Sequence, residues 1–136
     1  MEFVRADAVF NYLPQSGPPG PLNADLLNPT SSPSGAFGGD VVTLKLNVDF
    51  TDAGLMLGSS GLAFGDLTLC NFTTLPGLNG LAVRQVLPIV NTLLAGGSAG
   101  FTIAELAPVT AQLNTSFVSG FVSSFAQDHL VNGACP

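Results

Sequence analysis

Hydrophobic residues recur at helical spacing in two stretches of the C-terminal half. In Leu81 to Leu94 they are Val83, Val86, Leu87, Val90, Leu93 and Leu94. Steps of three and four put them on one stripe of a helix. Asn79 and Gly80 mark its start and Gly96-Gly97 its stop. In Thr102 to Phe117 the stripe is Ile103, Leu106, Val109, Leu113 and Phe117, and Gly120 is read as closing the helix. Thr102 and Glu105 have the spacing of a capping box, in which each side chain satisfies the other residue's backbone N–H. Pro88 and Pro108 fall inside the two patterns and predict a kink or a late start at each. The stretches also match each other at an offset of about twenty residues: Gly80 with Gly100, Val83 with Ile103, Val86 with Leu106, Pro88 with Pro108, Ile89 with Val109 and Leu93 with Leu113. Residues 79–120 are therefore expected to form a paired-helix unit, an antiparallel hairpin about the loop Ala95 to Gly100. That loop contains no acid, which excludes a calcium-loop helix pair there.

The N-terminal half is less regular. Phe3 to Leu13 reads as a short helix, or a strand turning into one, stopped by Pro14. Pro14 to Gly39 is rich in proline and glycine and is read as an irregular arm that wraps the domain. Leu22, Leu26, Leu27 and Phe37 are its apolar anchors. Val41 to Phe50 supports two readings. Val42, Leu44, Leu46, Val48 and Phe50 alternate with Thr43, Lys45, Asn47 and Asp49, which is the period of a strand. Asp40 as an N-cap and Gly54 as a C-terminal stop instead frame a helix. Leu55 to Phe72 is glycine-rich, with Leu62, Phe64, Leu67 and Leu69 suited to a short extended segment before Cys70. Asp66 reads first as a turn residue.

Composition narrows the function. Charged residues make up 9% of the chain, against about 25% in an ordinary soluble domain. Apolar residues make up 46%, yet no apolar run is long enough to cross a membrane. A surface this poor in charge suits contact with other protein surfaces. The formal charge is −6, and three basic residues, Arg5, Lys45 and Arg84, build no stripe for tracking phosphates, so nucleic acid is excluded as a partner. No cofactor or metal is called for. The one histidine and two cysteines are too few for a zinc site. Cys70 and Cys135 are either two buried thiols or one disulfide. A disulfide is favoured because Cys135 sits at a terminus that needs anchoring, and it implies an oxidising compartment. The N-terminal residues show no signal peptide. The sequons at Asn71 and Asn114 carry little weight in a chain rich in Asn, Ser and Thr.

Catalysis finds little support. His129 beside Asp128 reads as an ordinary surface histidine, and no catalytic residue is assigned. Asp49, Asp52 and Asp66 are explained as turns, caps or solvated positions as well as by acid–base or calcium chemistry. Tryptophan is absent and Tyr12 is the only tyrosine, which weakens a glycan platform without removing it.

Several motifs taken in order resemble a known group. They are Asn11-Tyr-Leu-Pro-Gln-Ser-Gly-Pro-Pro-Gly20, Asn28-Pro-Thr-Ser-Ser, Gly35-Ala-Phe-Gly-Gly, Leu44-Lys-Leu-Asn-Val-Asp-Phe50 and Val83-Arg-Gln-Val-Leu87. Together they resemble an uncharacterised module of large secreted bacterial surface proteins. The resemblance spans nearly the whole chain and both cysteines. It implies extracellular or cell-surface placement and attachment to other modules, and it supplies no catalytic residues. It also tips Val41 to Phe50 toward a helix. The expected fold is therefore one mainly α domain over residues 1–136 with a small β element, a wrapping arm over residues 14–39 and a C-terminal helical hairpin. The expected function is a non-enzymatic structural module that assembles with copies of itself or neighbouring modules, Leu22, Leu26, Leu27 and Phe37 supplying contacts. An adhesion or glycan-binding domain is the alternative, and a hydrolase stands behind it.

Overall fold

A computed structural model describes residues 1–56 and 61–136. Among the described residues five α-helices carry the fold: α1 (Ala6–Tyr12), α2 (Gly35–Asp52), α3 (Val83–Leu94), α4 (Ile103–Asn114) and α5 (Ser124–His129). The β-strands among the described residues form two antiparallel pairs of two-residue strands. β1 (Thr68–Leu69) pairs with β4 (Leu130–Val131), setting Leu69 opposite Leu130. β2 (Phe117–Val118) pairs with β3 (Phe121–Val122). This is the mainly α domain with a small β element that the sequence predicts.

α2 lies at the centre. Phe37, Val41, Leu44 and Val48 follow steps of four, three and four and are buried along one side. Val42, Leu46 and Phe50 form a second row at steps of four. The two rows are two residues apart, about 200° around a helix, so they lie on opposite sides. Interleaved in the sequence, they produce the strict alternation that imitates a strand. Lys45 and Asp49, which alternation would place on one face of a strand, instead form an i,i+4 ion pair at 2.8 Å. Asp40 is not the N-cap, because the helix begins a turn and a half earlier, after Ser34. Gly54, at φ 73°, does close it. Its N–H reaches Thr51 O and that of Leu55 reaches Phe50 O, the paired bonds of a Schellman stop.

Both α3 and α4 pack on α2, more extensively than on each other. Val86, Val90 and Leu93 of α3 and Leu106, Val109 and Leu113 of α4 are buried in the shared core. The capping box forms: Glu105 N–H donates to Thr102 Oγ1 at 3.2 Å, and Thr102 N–H donates to Glu105 Oε2 at 2.8 Å. Neither proline delays its helix. Pro88 and Pro108 lie inside and exposed, so the carbonyls they leave without an N–H partner, at Arg84 and Ala104, lie on the outer side of each helix. α4 stops at Asn114, short of the predicted Phe117, and Gly120 belongs to a later turn.

Two irregular segments wrap this helical core. The first precedes α2 and ends at Ser34, five residues short of the predicted Gly39. It is tied by Leu22 N–H to Leu94 O at 2.7 Å, Gly20 N–H to Ser34 O and Ala36 N–H to Gly17 O. The buried Tyr12 hydroxyl shares a hydrogen bond with Ser32 Oγ at 2.8 Å, which continues to Ser34 Oγ. The Gln15 amide donates to Tyr12 O and Thr30 O. Gly35 has φ +56°, and a Cβ there would lie 2.3 Å from Pro18 O, so only glycine joins the arm to α2. The second segment follows α4 and returns through β4 to a disulfide between Cys70 and Cys135, with Cα atoms 5.6 Å apart. Phe64–Asp66 forms a 3-10 turn before β1, so the segment expected to be extended is only partly so. Its glycine-rich start includes residues 57–60, which lie outside the described residues.

Candidate functional site

Four of the exposed large apolar side chains among the described residues, Phe117, Val118, Phe121 and Val122, lie on the β2–β3 hairpin. Ser119 and Gly120 join the strands, with φ of 54° and 80°. Two positive φ values in a two-residue loop make a type I′ turn, whose twist matches that of paired strands. Phe117 faces Val122 across the pair, and Val118 faces Phe121. The pleat sends these two pairs to opposite faces. Phe117 and Val122 line an open cleft of about 560 Å³ with Phe64, Leu67 and Leu113, and Phe64 meets Phe117 edge to face. Val118 and Phe121 lie on the other face, 52% and 79% exposed. The hairpin is thus apolar on both faces, and Phe117 and Val122, though they line the cleft, are themselves 49% and 48% exposed. Leu55 and Met56, just beyond α2, add exposed apolar surface to the same end.

The acids weighed for catalysis or calcium are engaged with cations. Arg84 donates to both oxygens of Asp52 at 2.8 and 2.9 Å and to Asp66 at 2.7 Å. These hydrogen bonds hold the Asp52 carboxyl below its ordinary value and push the Arg84 guanidinium further up. The arrangement clamps the end of α2 and the 64–66 turn to the start of α3. Asp66 is thus a clamp residue as well as part of a turn. Asp40 is shifted the other way: burial raises its carboxyl, with a smaller opposing effect from Asn114.

His129 sits in the wrapped tail. Its Nδ1 is 2.9 Å from Cys70 O, and since a carbonyl only accepts, Nδ1 carries the proton. The ring stacks on Phe72 at 4.3 Å and tilts against Phe125 at 5.0 Å. Among the described residues no serine hydroxyl bonds to it. The sequon asparagines are both in use. Asn71 donates to Asp128 O, and Asn114 donates to Asp40 O while pairing with Asn47.

The four residues expected to make assembly contacts separate. Phe37 is fully buried in the core, because helix periodicity turns it inward with Val41 and Leu44, and it is not available to a partner. Leu22 packs partly buried against the core. Leu26 is half-buried and its carbonyl accepts from Glu2 N–H. Leu27 alone is largely exposed, at 65%. The disulfide pairing of Cys70 with Cys135 is present. Sequence reasoning missed the hairpin, although Phe117-Val-Ser-Gly-Phe-Val122 signals it: two apolar pairs about a turn-forming Ser-Gly. No helix among the described residues is long and apolar enough to cross a membrane. No known protein family, curated protein or solved structure matches the chain.

Proposed function

We propose that this chain is a secreted, non-enzymatic structural module that associates with copies of itself in an extracellular assembly, in the manner of a filament or coat. The observation that carries the reading is the β2–β3 hairpin with its uncovered Val118 and Phe121. A strand pair apolar on both faces is the pattern of one packed on both faces. Charge supports the same surface. From Leu106 to Gln127 there is no charged residue, on a molecule whose formal charge is −6. Copies that repel elsewhere therefore meet there without opposing charges. The disulfide suits an oxidising compartment, and the resemblance to surface-protein modules supports export and neighbours of the same kind.

Sedimentation of the native chain against the double variant Val118→Lys/Phe121→Lys tests this reading. The native chain is expected to associate through an interface of at least about 1,000 Å². The variant should remain monomeric with unchanged helical circular dichroism. A native chain that stays monomeric at high concentration removes the proposal.

A further inference from the structure

A second depression, of about 360 Å³, lies between α4, α5 and the loop that follows Cys70. We infer that it binds a single sugar ring. Its size is near the lower end of small-ligand sites, roughly 300–1,000 Å³, which suits one ring better than a chain of them.

One wall is aromatic. Phe72 stacks on His129, and Phe125 leans on both. Phe125 and His129 are four residues apart on α5, so one helix face presents them together. The opposite wall is a face of α4 carrying Glu105 and Gln112, two turns apart. The atoms left uncommitted on these walls include several hydrogen-bond acceptors, beside the hydroxyls of Thr73 and Thr74. His129 donates through Nδ1, which leaves Nε2 as an acceptor with no partner among the described residues. Asn71 donates its amide to Asp128 O at 2.8 Å, leaving its carbonyl oxygen. Glu105 uses Oε2 in the capping box and keeps Oε1. Gln112 has no side-chain partner among the described residues and offers both an acceptor and a donor. No lysine or arginine lines the depression.

A site that carries the Glu105 carboxylate and several acceptors, with no lysine or arginine in its lining, disfavours phosphates and carboxylates. It favours a ligand that donates several hydrogen bonds and also presents an apolar face. A pyranose does both: its hydroxyls donate around the edge, and its C–H face lies against aromatic rings. The walls are also fixed before any ligand arrives. Asn71 and Phe72 follow the disulfide-bonded Cys70 directly, and His129 precedes β4, which is paired to β1. Preorganisation of this kind reduces the ordering cost of binding. The site is independent of the hairpin, so either proposal stands without the other.

The test is titration of the intact, oxidised chain with methyl glycosides of glucose, galactose, mannose and N-acetylglucosamine, read from amide and aromatic NMR shifts. At least one glycoside is expected to shift Phe125, His129 and Gln112 saturably. Gln112→Leu lies on an exposed position of α4 and should preserve the fold while weakening that glycoside about fivefold, the loss of one hydrogen bond. Phe125→Ala should abolish the response, with the α2–α4 amide spectrum retained. Three results overturn the inference: no glycoside shifts these residues at millimolar concentration, tetramethylammonium shifts them while the glycosides do not, or Gln112→Leu leaves the glycoside affinity unchanged.

Discussion

The arm before α2 and the tail after α4 face the same problem and are held by different means. Each is an irregular length of chain on a small helical core. The arm is held by dispersed, non-covalent ties: backbone hydrogen bonds at Gly17, Gly20 and Leu22, the Tyr12–Ser32–Ser34 hydroxyl chain and one glycine joint. The tail is held by one covalent link, a two-residue strand pair and a few side-chain bonds. Their apolar residues also point different ways. Leu22 packs against the core, whereas Val118 and Phe121 point away from it. Proline-rich composition and low charge drew the sequence reading to the arm as the sticky segment. In the structure the arm leaves Leu27 exposed, while the tail exposes all four apolar residues of the hairpin.

The sharpest way to break the comparison is at the arm's joint. Gly35→Ala forces a left-handed φ on alanine and drives its Cβ into Pro18 O and Gly17 O. A loss of about 3–4 kcal/mol is expected, measured by urea unfolding. A loss no larger than an ordinary surface change would mean the arm is not locked at Gly35. Next is the tail. Cys135→Ser should cost about 2–4 kcal/mol. Hydrogen exchange should accelerate over residues 115–136 and leave α2 to α4 protected. Uniform acceleration would show that arm and tail are not separately held. A smaller effect is expected from Tyr12→Phe, which removes one buried hydrogen bond and should cost about 1 kcal/mol. A change within the error of calorimetry would assign the arm's hold to its backbone bonds alone.

The smallest effect concerns the clamp that lies under neither segment. Arg84 depresses the Asp52 carboxyl. The stabilisation is therefore fully present above the ordinary carboxylate value and is lost as pH falls through the lower folded value. Asp40, raised by burial, works with the opposite sign: its contribution is present at low pH and is lost as pH rises through the raised value. Arg84→Met should flatten the acid limb of a stability–pH profile. An unchanged acid limb would mean the clamp contributes nothing in solution.

Much of the helical fold was legible because its signals are local. α3 and α4 announce themselves through spacing, a capping box and glycine stops. α2 was ambiguous because an apolar row on each side of a helix and one alternating strand leave the same residue pattern. The decision lay in how many sides the helix buries, which is a tertiary fact. The arm's end at Ser34 was hidden because Gly38 and Gly39 look like breakers. In the fold they are the small residues that let α2 lie against Tyr12, Ser34 and Gln15. The hairpin was overlooked because the α4 stripe happens to continue to Phe117 in register. The disulfide was legible from the position of Cys135. The grouping of Phe72, Phe125 and His129 was not, since it depends on the β1–β4 pairing that brings distant segments together.

The disulfide has a mechanical consequence. It closes residues 70–135 into a covalent ring, a separation of 65 positions. Tension applied at Pro136 enters the fold at Cys70 one residue later and bypasses everything between. Between Met1 and Pro136 the load therefore runs through α1, the arm, α2 and β1. α3, α4, the hairpin and α5 lie outside the line of force. Pulled from its ends, the oxidised molecule can lengthen only by paying out its N-terminal half, and reduction would roughly double the chain available to extend, at about 3.3–3.6 Å per residue.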